Sequence, residues 1–261
     1  MSSIRVGDVE LHVEQHGDGP ALLLVAGIPA VASDWAPLCE RLAASRHVIA
    51  YDNRGSGRSG STPGPYTTRQ LAADAAGLLD ALGIVHADVF GMSMGGMIAQ
   101  ELALGWPERV RRLVLGCTHA GVRHAARQPR EAGRAFALRT DDWAERMRAL
   151  APFAFARDVD AATLARFIDK KTRDVQDPVG YQAQIDAVLA HDTYARLPTL
   201  RAPTLIITGD DDQVIPAASS DVLHQQIPGS RLEVVPGAGH LFFLEQPEQT
   251  VALLEDFLDE V

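Results

Sequence analysis

Cysteine is nearly absent from this sequence: Cys39 and Cys117 are the only two in 261 residues, too few for a disulfide framework or a thiolate metal cage. A reducing compartment is therefore expected. No apolar run approaches the roughly 18 residues that a membrane span requires. Basic side chains are the minority, 24 Lys and Arg against 34 Asp and Glu, for a formal charge of -10. A surface of that sign repels phosphate backbones and anionic lipid, so neither nucleic acid nor a membrane is expected as a partner. The N-terminal stretch lacks the pattern of a cleaved leader; Ile4 and Val6, then Val9, Leu11 and Val13 around Gly7-Asp8, alternate as in a hairpin. Together these absences point to a cytoplasmic globular protein.

What is present is a regular alternation. Short apolar runs recur at 22–25, 47–52, 87–91, 112–116, 204–209 and 231–235, separated by helix-length intervals, the pattern of βα units around a mostly parallel sheet with helices on both faces. Leu71, Ala75, Leu78, Leu79 and Leu82, and later Val251, Leu254 and Leu258, carry helical periodicity. One interval, 122–197, is too long for a simple crossover. Asp160 ahead of Leu164, Phe167 and Ile168, and Asp177-Pro178 ahead of Tyr181, Ile185 and Val188, are helix starts. The expected organisation is a core of residues 1–121 and 198–261 with a helical cap, 122–197, inserted before the last two strands.

Gly55, Gly57 and Gly60 form G-x-G-x-x-G after an apolar run, which raises the question of a dinucleotide site. Such a site needs a helix to begin at the last glycine and aim its N–H groups at the pyrophosphate. Ser61, Thr62, Pro63, Gly64 and Pro65 follow instead and cannot open that helix. The stretch reads as a tight loop.

The chemistry is carried by Gly91-Met92-Ser93-Met94-Gly95, between an apolar strand and an apolar helix. G-x-S-x-G in that setting is a nucleophile elbow, a turn so sharp that only small residues fit on either side of the serine. The helix N-terminus beneath Ser93 supplies positive potential where an oxyanion would form, with the Met94 N–H as one donor. A serine hydroxyl also needs a base, and the base a carboxylate, in the order acid then histidine. Asp210, Asp211 and Asp212 follow one strand, and His240 follows the next. His224 also lies beyond the aspartates, but in a helical stretch that suits a structural role.

AGIPA (26–30), YDNRGSGRS (51–59), GMSMGG (91–96), GDDDQVIP (209–216) and GAGH (237–240), in this order, make the chain resemble serine hydrolases of the α/β-hydrolase fold over nearly its whole length. The resemblance implies that Gly209, Asp212 and Pro216 overlay the family's G-x-x-D-x-x-x-P, which selects Asp212 as the acid with Asp211 next. It also assigns Asp52, Arg54, Gly55, Gly57 and Ser59 to a structural loop. The backbone N–H of Ile28 takes the place of the second oxyanion donor, although Ala26 stands where the family has histidine, so the bonds that hold this loop must come from elsewhere.

The resemblance implies cleavage of a small-molecule carboxylic ester or lactone through an acyl-enzyme on Ser93, with no metal or organic cofactor. Within the family, RLPTLRAPTLIITGDDDQVIP (196–216) and the medium-length lid resemble small carboxylesterases and 3-oxoadipate enol-lactonase-like proteins. Enol-lactone hydrolysis, cofactor-free haloperoxidase or perhydrolase chemistry, and a ligand receptor that keeps the fold are the alternatives. Met92, His119, Trp143, Phe153 and Leu241 are candidate substrate contacts. Oligomeric state has no signature in the sequence.

Overall fold

The computed structural model describes residues 2–174 and 177–260; the outermost positions of the expected core, 1 and 261, and positions 175 and 176 of the expected cap lie outside them. Eight strands, β1 (Ser2–Val6), β2 (Val9–His16), β3 (Ala21–Val25), β4 (His47–Tyr51), β5 (Ala87–Met92), β6 (Val110–Gly116), β7 (Thr204–Gly209) and β8 (Arg231–Val235), form one sheet in the order β1-β2-β4-β3-β5-β6-β7-β8. The β1–β2 hairpin joins β4 antiparallel, and every later pairing is parallel. Successive side chains of a strand point to opposite faces, and both faces here are apolar. Leu23, Val25, Ile49, Tyr51 and Val89 pack into one core layer, while Leu22, Leu24, Val48, Ala50 and Phe90 pack into the other.

Helices cover both layers. On the first lie α2 (Thr68–Ala81) and α3 (Met94–Gly105), on the second α1 (Ala36–Leu42), α9 (Phe242–Glu245) and α10 (Pro247–Leu258), while α8 (Ala218–Gln226) adds Leu223 to the first. Between β6 and β7 the chain forms α4 (Arg130–Phe136), α5 (Trp143–Ala154), α6 (Ala161–Arg173) and α7 (Pro178–Ala190). The Asp160 carboxylate accepts from the N–H groups of Ala162 and Thr163, and Asp177 accepts from Val179 with Pro178 in the first turn, so both helix starts lie where the cap residues indicate. Among the described residues no helix is long and apolar enough to cross a membrane.

Strand order sets the position of the site. The chain runs from β3 to β4 on one side and then returns to lay β5 on the other side of β3. Connections diverge there and leave a crevice at the carboxyl ends of β3 and β5, where open α/β sheets bind ligands. Ser93 leaves β5 and the Ala26–Pro29 loop leaves β3 at that point. The glycine-rich loop has no such role: no helix begins between Gly60 and Thr68, and a Cβ at Gly57 would overlap the Asp52 carboxylate. Asp52 instead accepts hydrogen bonds from the N–H groups of Ala32 (2.6 Å) and Arg58 (2.8 Å).

Candidate active site

Ser93 has φ 57° and ψ -122°, a backbone conformation that L-residues avoid and that costs on the order of 1–3 kcal/mol. Surrounding bonds hold it there. Its N–H donates to Gly116 O at 2.8 Å, and its carbonyl accepts from the Thr118 hydroxyl at 2.7 Å and from Gly96 N–H at 3.0 Å. The two motif glycines permit the turn. A Cβ on Gly91 would strike the Gly95 carbonyl, and one on Gly95 would strike the Val25 carbonyl, so α3 could not approach the strand ends with any larger residue. Met94 is the first residue of α3, and its N–H, like those of all first-turn residues, has no partner within the helix.

The loop after β3 lies directly against this turn. A Cβ built on Gly27 would sit 2.7 Å from Ser93 Cβ and 3.3 Å from Ser93 Oγ. Among the described residues the Ile28 N–H has no hydrogen-bond partner, although the neighbouring backbone is well bonded: Ala30 N–H donates to Gly27 O at 3.0 Å and Asn53 Nδ2 donates to Ala26 O at 2.8 Å. Ile28 and Met94, each with an unspent backbone N–H, border the same cavity as Ser93.

The three consecutive aspartates divide their roles. Asp212 Oδ2 is 2.8 Å from His240 Nδ1, and its Oδ1 accepts the N–H groups of Val214 (2.8 Å) and Ile215 (2.9 Å). Asp211 faces the segment between α5 and α6, pairing with the Arg157 guanidinium at 2.6 Å and accepting the Arg157 N–H. Asp210 accepts the Gly237 N–H at 2.7 Å. The loop carrying His240 is tied on both sides of the imidazole: Gly239 N–H donates to Glu245 at 2.8 Å, and Leu241 N–H donates to Ala154 O at 2.8 Å. His224, on α8, bonds Ser230 in the turn before β8 and takes no part in this cluster.

Cys117 was not singled out as a site residue by its sequence context. It follows β6 with φ 43°, fully buried, and its Sγ lies within 4.8 Å of ligating atoms of Asp212 and His240. Burial, and next the Asp212 carboxylate, push its thiol well up, so it stays protonated. Among the described residues these three side chains are the one group able to hold a metal ion, and a cation there would compete with the Asp212–His240 hydrogen bond.

A cavity of about 760 Å³ opens over Ser93 and His240. Ile28, Met94, His119 and Leu241 line it together with Ser93 and His240. Its roof is apolar, from Phe136, Met147, Leu150, Phe167 and Ile185 of helices α4 to α7. His119 Nδ1 accepts the Gly121 N–H at 3.0 Å, which leaves the ring proton on Nε2; burial pushes this imidazole down to about 4. Met92, Trp143 and Phe153 do not border the cavity. Met92 packs in the core layer with Phe90, since adjacent strand residues face opposite ways. Trp143 donates its indole N–H to Lys171 O at 2.8 Å and packs edge-on to Tyr181. Met97, one helical turn beyond Ser93, does line the cavity and was legible from the i, i+4 spacing; Asp34 and Lys171 also line it, with no signal in the sequence.

The sequence profile of the α/β-hydrolase fold matches residues 20–247. The chain belongs to the α/β-hydrolase family. This hydrolase is 35% identical over 258 residues to a protein of Azorhizobium caulinodans named as a carbamate hydrolase, RutD, with 98% of this chain and 97% of that protein covered. It is 32% identical to a poly(3-hydroxyalkanoate) depolymerase of Ectopseudomonas oleovorans, over 92% of this chain and 84% of that one. Among solved structures, the enol-lactonase of Burkholderia xenovorans LB400 superposes with a TM-score of 0.89 at 30% identity, covering 99% of this chain and 100% of the other.

Proposed function

We propose that this α/β-hydrolase cleaves carboxylic esters or lactones through an acyl-enzyme on Ser93, with His240 as base and Asp212 as its orienting acid. The observation that carries the proposal is the 2.8 Å bond between Asp212 and His240 Nδ1 on the wall of a cavity shared with Ser93. With Nδ1 committed to the carboxylate, Nε2 is the free nitrogen that takes the Ser93 proton as Oγ attacks the carbonyl carbon. The oxyanion is received by the N–H groups of Ile28 and Met94, each such donor lowering the barrier by about 3 kcal/mol. Collapse breaks the C–O bond, and His240 gives its proton to the leaving alkoxide. Water, deprotonated by His240, then attacks the acyl carbon; the acid departs and Ser93 regains its proton. Helices α4 to α7 act as a lid whose apolar side chains exclude bulk water and favour an apolar acyl or alcohol group.

A panel of aryl esters and lactones of graded size, with Ser93→Ala as blank, tests the assignment. Steady turnover in the wild-type protein that falls at least about a thousandfold in Ser93→Ala is the expected result; tight binding without turnover would instead support a receptor. Carbamate cleavage is a second reading, favoured by the relative named for it, and an aryl carbamate added to the panel decides between them through relative kcat/KM.

A further inference from the structure

Ala26 removes the side chain that would otherwise hold the loop after β3, yet that loop is firmly bonded. One set of those bonds comes from 137 residues away along the chain. Lys171, on α6, is 2% exposed. Its Nζ donates to Pro29 O at 3.1 Å, to Asp34 Oδ2 at 2.5 Å and to Asp174 Oδ2 at 2.9 Å. An ammonium has three hydrogens, and three acceptors use them. Lys171 therefore borders the cavity with no donor left for a ligand. Its partner is equally engaged: Asp34 Oδ2 also accepts the Val31 N–H at 2.9 Å, and Oδ1 accepts from Lys170 at 2.6 Å. Burial pushes the Asp34 carboxyl up, but Lys171 and Lys170 beside it reverse that and hold it below its ordinary value, so the cluster is charged.

We propose that Lys171 is a positioning residue for the oxyanion site. It clamps Pro29 O and Asp34 on the two sides of the bend at 29–34 and so keeps the Ile28 N–H, one residue before Pro29, facing Ser93. The inference rests on the acyl-transfer reading above. A neutral hydrogen bond would fix Pro29 as well, but the buried ion pair adds a penalty for letting go, because a withdrawn lysine leaves Asp34 desolvated and without Lys171. The clamp also makes α6 part of the oxyanion site. Since the Trp143 indole donates to Lys171 O, α5 holds the same turn of α6.

The test compares Lys171→Met with wild type and with Arg173→Ala, a change on the same helix at an exposed pair with Asp169. Amide hydrogen exchange across 26–34 should accelerate in Lys171→Met and remain as wild type in Arg173→Ala. On p-nitrophenyl butyrate kcat should fall about tenfold or more with KM within about twofold, and inhibition by a trifluoromethyl ketone, whose serine adduct bears an oxyanion, should weaken by a similar factor. Lys171→Gln, which keeps a donor for Pro29 O without the charge, should lie between the two in both measurements, and it is the deciding variant if Lys171→Met does not fold. Unchanged exchange at 26–34 overturns the clamp. A rise in KM alone, with kcat and ketone inhibition intact, overturns its link to the oxyanion. If the wild-type protein shows no Ser93-dependent turnover at all, the acyl-transfer reading falls while hydrogen exchange still decides the clamp.

Discussion

Asp212 and Asp211 are neighbours with the same chemistry, and only their surroundings separate them. Asp212 receives two backbone N–H groups and the imidazole, whereas Asp211 faces Arg157 near the protein surface. Asp212→Asn should therefore lose about three to four orders of magnitude in kcat, because an amide no longer fixes the imidazole tautomer. Asp211→Asn should stay within about threefold of wild type, since the exposed pair it breaks contributes little. Steady-state kinetics on one ester checks both, with circular dichroism confirming that each variant folds. The sequence showed that an acid was present after β7, but three adjacent carboxylates differ only in the direction the turn gives them. The resemblance, through Gly209 and Pro216, was needed to choose. Lys171 was beyond reach for another reason: in DKKTRD it sits among charges that read as a solvated helix face, and its partner Asp34 lies in a different half of the chain.

At the scale of elements, β3, β4, β5 and β7 were legible because each is an apolar run buried almost throughout, as a central parallel strand must be, whereas β1 and β2 were legible from their alternation around Gly7-Asp8 and β8, at the sheet edge, is only partly buried. Helices α6 and α7 were legible from their caps. Helix α5 has an equally good start, since the Asp142 carboxylate accepts from the N–H groups of Ala144 and Glu145, but its apolar stripe of Met147, Leu150 and Ala151 is short and flanked by arginines. Helix α4 has no side-chain cap at all, so nothing local marks it. Removing the cap of α5 should destabilise that helix by about 1 kcal/mol. In Asp142→Ala we expect faster amide exchange over residues 144–147 with the core strands unchanged, and a higher KM for long-chain esters, because α5 supplies Met147 and Leu150 to the cavity. The aromatic Trp143 was expected at the substrate and instead joins α5 to α6. Composition cannot tell a side chain that faces a void from one that faces the next helix.

Over the whole molecule, two buried histidines make stability depend on pH. Burial pushes His119 down to about 4, and burial, then the charges of His119 and Arg196, push His191 down to about 3. His191 contacts Thr68 and Thr193 through its two nitrogens, so both rings are held neutral between α2, β6 and the end of α7. The unfolded chain binds protons at these positions near 6.5 while the folded chain does not, so stability is fully present above about pH 6.5 and declines as pH falls toward 4. His119 alone accounts for a loss of order 3 kcal/mol across that interval. Urea midpoints measured from pH 7.5 to 4.5 should fall, and His119→Gln should flatten the decline.

The sheet has a seam. β7 and β8 reach the remaining strands only through the alignment of Leu113–Gly116 with Thr204–Ile207. Ser93 and Ile28 stand on one side of that seam along the chain, Asp212 and His240 on the other. Neither half possesses the whole of the proposed constellation, however well it has formed its own helices and strands. Recovered turnover after dilution from denaturant is thus a clock for a single joining event, and it should lag behind any optical signal that reports local order alone.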